Sequence, residues 1–384
     1  MRLGLVGYGV GGRNFHAPFV QVADGLELGG VVTRDPRRRA ELGQDYPDVP
    51  VYDSQRALLD AGVDIVTITT PPRTRRELVL EAIAAGVHVV ADKPFAPNAP
   101  AARELAEAAQ SAGVVLTVFH NRRWDADIRT LRATLGRLGD LQRIESRFDL
   151  DQPGLLETGP HGGLLRDLGS HLVDQMLWLL GPAARVHGAL GWTDFPAGRT
   201  DSAFDITLTH LSGVRSRVSS TKLNRLDDRE LGAYGAAGAY ICHSTDVQAR
   251  HSLAGKRPAD LGAAWGYEPP ESWGVLYTAN GADYYSGLVA ALRGEGPVPV
   301  PVREAIDTLE VLDAARTSAA EGRVVALHAL REPSVPASAP YSIERSPPSN
   351  AAGRGRTRGA EHRGVRRHRR GRPRPVLRRP TRAG

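Results

Sequence analysis

The chain of 384 residues is long enough for two domains and a sizeable core, and its 41% hydrophobic and 24% charged residues suit a globular protein rather than a fibrous or low-complexity one. A single cysteine, Cys242, excludes an internal disulfide framework and fits a reducing compartment, where it reads as a small half-buried side chain. The formal charge of +6 suggests an anionic partner until it is divided: residues 345–384 hold fourteen arginines and one acid, Glu361, which leaves residues 1–344 at −7 and argues against a basic nucleic-acid face on the body.

Met1 runs straight into an apolar strand, Leu3-Gly4-Leu5-Val6, with no charged leader, and no apolar run approaches the ~18 residues of a membrane span. A soluble cytoplasmic protein with no membrane partner is expected. The strand is followed by Gly7-Tyr8-Gly9-Val10-Gly11-Gly12 and by a helix start at Arg13–Val20. The G-x-G-x-x-G spacing carries meaning in this strand–turn–helix setting, which favours a nucleotide site over a plain glycine-rich turn. Gly7 permits the tight turn, Gly9 lets backbone approach a pyrophosphate, and Gly12 lets the helix pack on the strand. The free N–H groups at the helix start, with Tyr8 and Val10 in the loop, then face the phosphates.

Strand and helix signals alternate to about residue 120. Leu28–Thr33 reads as a strand, Arg37–Gly43 as a helix, Asp64–Thr70 as a β-branched strand stopped by Pro71-Pro72, and Thr74–Ala85 as a helix closed by Gly86. Val87–Val90, the helix Ala99–Ala112 and the strand Val114–Phe119 follow. Such alternation predicts a parallel sheet covered on both faces, with ligands beyond the carboxyl ends of its strands.

The segments directly after those strands are therefore the informative ones. Thr33, Arg34 and Arg38 after the second strand offer a hydroxyl and two cations, which suits the 2′-phosphate of NADP better than the acid an NAD site uses. Asp35 would fill that acidic position after a one-residue slip, although Asp35-Pro36 also reads as a helix start. Thr70 and Pro71, then Asp92 and Lys93, then Asn121 join the candidate cofactor site, with Arg122 and Trp124 beside them. Lys93, between strand and proline, is placed to hydrogen-bond a substrate hydroxyl or carbonyl, and the Lys93–Pro94 bond is a candidate cis peptide.

The second half changes character. Gln142–Leu150 alternates as a strand, and Gly162–Gly181 reads as one long helix. Asp167, His171 and Asp174 lie four and three residues apart on one face of it, among apolar residues. Three ionisable groups on a buried helix are costly unless they face a cleft or partner. Acid–base chemistry is favoured over a satisfied structural cluster and over metal ligation, for which no histidine or cysteine set completes a shell. Strands at Ala184–Gly191, Ala203–Leu211, Val214–Thr221, Glu230–Tyr234 and Tyr240–His243 predict an antiparallel sheet, before helices at Asn280–Arg293 and Val302–Glu321. The globular part is expected to end near His328. The Pro-, Ser-, Gly- and Arg-rich residues 331–384 cannot build a core, so a disordered tail is expected; polyanion binding there is less favoured than a nonfunctional extension.

Together, Gly7–Gly12, Asp92-Lys93-Pro94, Phe119–Asp125 and the Asp-x-x-x-His of Gly162–Gly181 resemble the glucose–fructose oxidoreductase/inositol dehydrogenase/rhizopine-catabolism (Gfo/Idh/MocA) family over roughly residues 1–328. Phe15–Phe19 and His120–Asp125 look most like its branch of NADP-dependent scyllo-inositol dehydrogenases. The resemblance implies an α/β protein: a Rossmann domain at 1–121, then an α/β domain at 122–330 whose open, mostly antiparallel sheet serves as a homodimer or homotetramer face. Lys93 matches the lysine of the family's Glu-Lys-Pro motif, with Asp92 replacing the glutamate. Asp167 and His171 match the acid and histidine beside the substrate. Two departures bear on substrate recognition: Pro72-Arg73-Thr74-Arg75 stands where many relatives have Asn-His-Thr-His, and Arg166 where many have an aromatic residue. Arg166 is accordingly expected to touch substrate and to favour an acidic or phosphorylated compound.

The resulting expectation is an oxidoreductase using NADP, or NAD, on a secondary alcohol or ketone of a cyclitol or sugar. Lys93, Asp167 and His171 would carry the chemistry, and Arg122, Trp124 and Arg166 would join them against substrate. A non-catalytic nucleotide sensor and a reductase of a biliverdin-like or imine substrate are the alternatives on the same fold.

Overall fold

The computed structural model describes residues 1–159, 162–244, 255–261 and 281–327. Its first sheet contains β1 (Arg2–Val6), β2 (Glu27–Val32), β3 (Val51–Tyr52), β4 (Ile65–Ile68), β5 (His88–Ala91) and β6 (Leu116–Val118), in the order β3-β2-β1-β4-β5-β6. All neighbours are parallel, and the strands' apolar residues are almost wholly buried, as a sheet covered on both faces requires. Helices α1 (Ala17–Val22), α2 (Pro36–Asp45), α3 (Gln55–Asp60), α4 (Pro72–Ala84) and α5 (Ala99–Ser111) link them. The strand order reverses between β1 and β4, where a doubly wound sheet opens its ligand crevice. The alternation read from the sequence is present. The two-residue β3 and the short α3 add to it, capped by Ser54, whose hydroxyl accepts the Ala57 N–H at 3.1 Å.

The second half begins with α6 (Ala126–Thr134) and builds a seven-stranded sheet. Its strands are β7 (Leu141–Asp151), β8 (Ala183–Phe195), β9 (Gly198–His210), β10 (Arg215–Thr221), β11 (Leu223–Gly235), β12 (Gly238–Ser244) and β13 (Val325–Ala326). The order is β12-β11-β7-β10-β9-β8-β13, antiparallel except for the parallel pair β7–β10. Thus the sheet is mostly antiparallel, as expected. One face packs on α7 (Ser170–Leu180) and on the helix Val302–Glu321. The other carries ion pairs such as Arg217 Nε–Asp205 Oδ1 at 3.0 Å and Arg147 Nη2–Glu230 Oε2 at 2.8 Å.

The long helix expected over Gly162–Gly181 is shorter and irregular. Gly162 and Gly163 precede it, Leu165–Gly169 winds in wide π-type turns, and only Ser170–Leu180 is regular. The cause is local. Gly163 adopts φ +97°, and a Cβ there would lie 2.0 Å from the Asp201 carboxylate. Asp201, from β9, uses that closeness to accept the Leu165 N–H at 2.6 Å, which caps the helix from another element.

The last two helices tie the halves together. Ala282–Leu292 sends Tyr284 and Tyr285, both fully buried, beside Phe119 at the end of β6, with ring centroids 4.9 and 5.5 Å away. Val302–Glu321 packs against α5, α7 and β8, and the Asp313 carboxylate accepts the Ala99 N–H at the start of α5. Asn280 at the expected helix start, and the tail 331–384, lie outside the described residues.

Candidate active site

The glycine turn has the geometry its spacing called for. Gly7 sits at φ +103°, open only to glycine at low cost, and a Cβ on Gly12 would meet the Gly7 carbonyl oxygen at 2.1 Å. At Gly9 the nearest atom to a Cβ is the Arg38 guanidinium at 3.6 Å, so backbone is free to approach a ligand there. This bare turn, with the N–H groups of a helix start behind it, fits a dinucleotide pyrophosphate. Val10 is exposed in the turn. The Tyr8 ring is buried, and its hydroxyl donates to Asp45 Oδ2 at 2.8 Å, so its backbone is the part that faces the turn.

Asp35 resolves toward helix capping, since its carboxylate accepts the Arg37 N–H at 2.9 Å. Thr33 ends β2. Arg34 is steadied by the Asp53 carbonyl at 2.8 Å, and Arg38 lies 3.6 Å from Asp35.

Beyond β4 and β5, Arg75 is a staple. It is buried, and it donates to the Thr70 carbonyl at 2.7 Å, the Asp92 carbonyl at 2.9 Å and the Pro94 carbonyl. One departure from the family pattern is thereby accounted for: Arg75 binds strand-end backbone rather than facing substrate. Thr70 and Pro71 enter α4 through hydrogen bonds from Thr74. Asp92 accepts the Lys93 N–H at 2.8 Å, and its other oxygen faces His16 at 3.7 Å. Burial alone would raise the Asp92 carboxyl, but His16, Arg75 and Lys93 hold it down at about 2. The Lys93–Pro94 bond is cis.

Lys93 and Asp167 meet at the centre. Lys93 Nζ donates to Asp167 Oδ1 at 2.6 Å and to the Asp167 carbonyl at 3.0 Å. A second lysine, Lys222, takes Asp167 Oδ2 at 2.6 Å. Burial opposes ionisation of Asp167, yet the two ammonium groups hold its carboxyl well below the usual range. The Asp167 side chain keeps 41% of its surface exposed and Lys93 keeps 17%, so both open to the cleft, whereas Lys222 keeps 6%. Lys222 went unnoticed in the sequence because it stands alone between two strands, in no motif.

His171, about one turn after Asp167, is buried, and its Nδ1 has no hydrogen-bond partner among the described residues. Burial first, then Lys93, Arg122, His120 and Arg229, push it well below 6.5, so its imidazole is neutral at physiological pH. Arg122 and Arg229 both lie over the Phe148 ring, at 4.9 and 5.2 Å, and are paired with Asp125 at 3.3 and 2.6 Å. Trp124 is half-buried edge-on to Tyr284, and Asn121 opens the same short 3-10 turn.

One sequence expectation needs correction here. Asp174 does not join Asp167 and His171: it is buried in a bidentate pair with Arg123, at 2.8 and 2.5 Å. Arg166, expected against substrate, is buried. It donates to the Pro97 carbonyl at 2.5 Å and lies among Arg316, Asp313 and Asp201, where burial and then Arg316 lower it to about 10. Among the described residues, no group of His, Cys, Asp and Glu is placed to hold a metal ion.

Buried histidines also set an acid limit on the fold. Burial pushes His120 down to about 4, against the opposing pull of Asp174. Between pH 6.5 and 4 the unfolded chain takes up a proton at this residue that the folded chain refuses, so stability falls as pH falls. His120 alone accounts for a loss on the order of 3 kcal/mol. Denaturant midpoints at pH 7, 5 and 4 check this, and a flat series contradicts it.

The comparisons agree with this architecture. Residues 1–120 match the model of the oxidoreductase family with an NAD-binding Rossmann fold, and residues 128–241 match the GFO/IDH/MocA C-terminal domain. The chain is 34% identical over 339 residues to the uncharacterized oxidoreductase YdgJ of Escherichia coli K12, covering 82% of this chain and 94% of that one. It is 28% identical over 351 residues to the scyllo-inositol 2-dehydrogenase (NADP(+)) IolW of Bacillus subtilis 168, covering 85% and 96%. The structure of the oxidoreductase YPO2259 from Yersinia pestis superposes with a TM-score of 0.75 at 34% identity, over 85% of this chain and 97% of that one. With both halves matched and the fold shared, the chain belongs to the Gfo/Idh/MocA family of NAD(P)-binding oxidoreductases.

Proposed function

We propose that this oxidoreductase uses NADP to interconvert a secondary alcohol and a ketone on a cyclitol or sugar. The observation that carries the proposal is the meeting of Lys93 Nζ with Asp167 Oδ1 at 2.6 Å, with a neutral His171 about one turn along. When bound, the nicotinamide supplies the hydride acceptor or donor. The protein's own part is positional and electrostatic. The Lys93 ammonium donates a hydrogen bond to the substrate oxygen and steadies its developing negative charge. The His171 imidazole takes the hydroxyl proton during oxidation and returns it during reduction. Asp167 orients Lys93 and accepts from a substrate hydroxyl. Arg122, Trp124 and Asn121 complete the wall. The resemblance to IolW supports the substrate class, and the set Thr33, Arg34 and Arg38 supports NADP.

On this reading residues 1–121 bind cofactor, 122–330 bind substrate, and the ion-paired outer face of the second sheet joins a homodimer or homotetramer in the cytoplasm. Residues 331–384 stand outside the chemistry. Replacing Arg34 and Arg38 together by alanine is expected to raise KM for NADP at least ~10-fold and leave that for NAD nearly unchanged, since each guanidinium–phosphate hydrogen bond is worth about 1.5–3 kcal/mol. Steady-state kinetics with both cofactors checks this; an NAD-preferring wild-type protein overturns the NADP assignment.

A further inference from the structure

Lys222 links β10 to β11, and its backbone is held on both sides: its N–H donates to the Ser202 carbonyl at 3.3 Å, and its carbonyl accepts the Gln152 N–H at 3.1 Å. Its side chain is buried and ends between Asp167 Oδ2 at 2.6 Å and the Leu155 carbonyl at 3.3 Å. Lys93 holds the other carboxylate oxygen at 2.6 Å.

Three consequences follow. A carboxylate tied through one oxygen swings about its side-chain bonds, whereas one tied through both is fixed. Asp167 is therefore aimed at Lys93 from behind by a group anchored in the second sheet. In addition, one carboxylate between two ammonium groups leaves the trio with an excess positive charge at the place where a substrate hydroxyl gives up its proton. Finally, Lys222 is too buried to reach the substrate itself, so its influence passes through Asp167.

We propose that Lys222 is a positioning residue of the reaction: it clamps Oδ2 of Asp167 so that Asp167 presents the Lys93 ammonium to the substrate oxygen. The proposal rests on the dehydrogenase reading above.

The test is a double-mutant cycle of Lys222→Met and Asp167→Asn, with Lys222→Arg alongside, reading kcat, KM for NADP and thermal midpoint. Lys222→Met is expected to lower kcat about 10- to 100-fold, the cost of a misplaced catalytic group, with KM for NADP within about twofold of wild type. Lys222→Arg recovers most of that loss. In the Asp167→Asn background, Lys222→Met costs less than about threefold more, because the group it acts through is gone. Wild-type kcat in Lys222→Met overturns the clamp, as do losses that multiply across the cycle. Should Lys222→Met fail to fold, Lys222→Gln takes its place and is read the same way. If the wild-type protein turns over no polyol or sugar, the dehydrogenase reading falls and takes the clamp with it. A normal wild-type rate beside an unimpaired Lys222→Met removes the clamp alone.

Discussion

Lys93→Met is expected to cut turnover at least ~100-fold while NADP binding stays close to wild type. The lysine's ammonium is the cation that both touches Asp167 and opens to the cleft; Lys222 touches the same carboxylate but is buried. Its removal takes away the proposed hydrogen-bond donor to the substrate oxygen. It does not orphan Asp167, whose second oxygen keeps Lys222 at 2.6 Å, so the loss of rate is not a loss of fold. Nor does it disturb the glycine turn, whose backbone is the proposed site of the pyrophosphate. Steady-state kinetics, with a fluorescence titration of bound NADPH, separates the two effects. Wild-type turnover in this variant would remove Lys93 from the mechanism.

The largest expected effect on stability lies nearby, at Arg123. Its guanidinium is almost wholly buried, grips both oxygens of Asp174 on α7, and reaches Glu304 at the start of the Val302–Glu321 helix. It thus joins the turn after β6 to two helices of the second half. Burial alone would favour the neutral form, but Asp174 and then Glu304 keep the group firmly cationic. Arg123→Met would leave Asp174 buried beside the neutral His120 imidazole, 3.8 Å away. Stranding one partner of such a pair costs about 3–5 kcal/mol, which a urea melt would read directly. Because the penalty comes from the stranded charge, Arg123→Met with Asp174→Leu should recover much of it. An equally destabilised double variant would place the cost in lost packing, including the Trp178 ring 5.6 Å from the guanidinium.

The first half was legible because its signals are local. A β-branched run stopped by proline, or a glycine turn between strand and helix, fixes its own conformation whatever surrounds it. The residues that follow those strands could then be placed at the crevice by topology alone, and Asp92, Lys93 and Arg122 stand there. The readings that failed depended on distant partners. The helix start near Leu165 is set by Asp201 from β9, and nothing within Gly162–Gly181 announces it. The pairing of Asp174 with Arg123 spans fifty-one positions, so helical spacing alone grouped Asp174 with the wrong neighbours. Arg166 was given a role from its place beside Asp167, yet adjacent helical residues point apart, and it turns to Pro97. Lys222 is the clearest case. A lysine between two strands is ordinarily a solvated turn residue, and only the convergence of the β10–β11 link, the wide turn Leu165–Gly169 and the turn after β5 makes it part of the site.

The direct test of the account is reduction of NADP and of NAD, side by side, by the wild-type protein across a panel of cyclitols and sugars. The account predicts that at least one secondary alcohol reduces NADP faster than NAD, and that Lys93→Met and His171→Gln each abolish the signal. Tight NADPH binding with no hydride exchange on any member of the panel would contradict it.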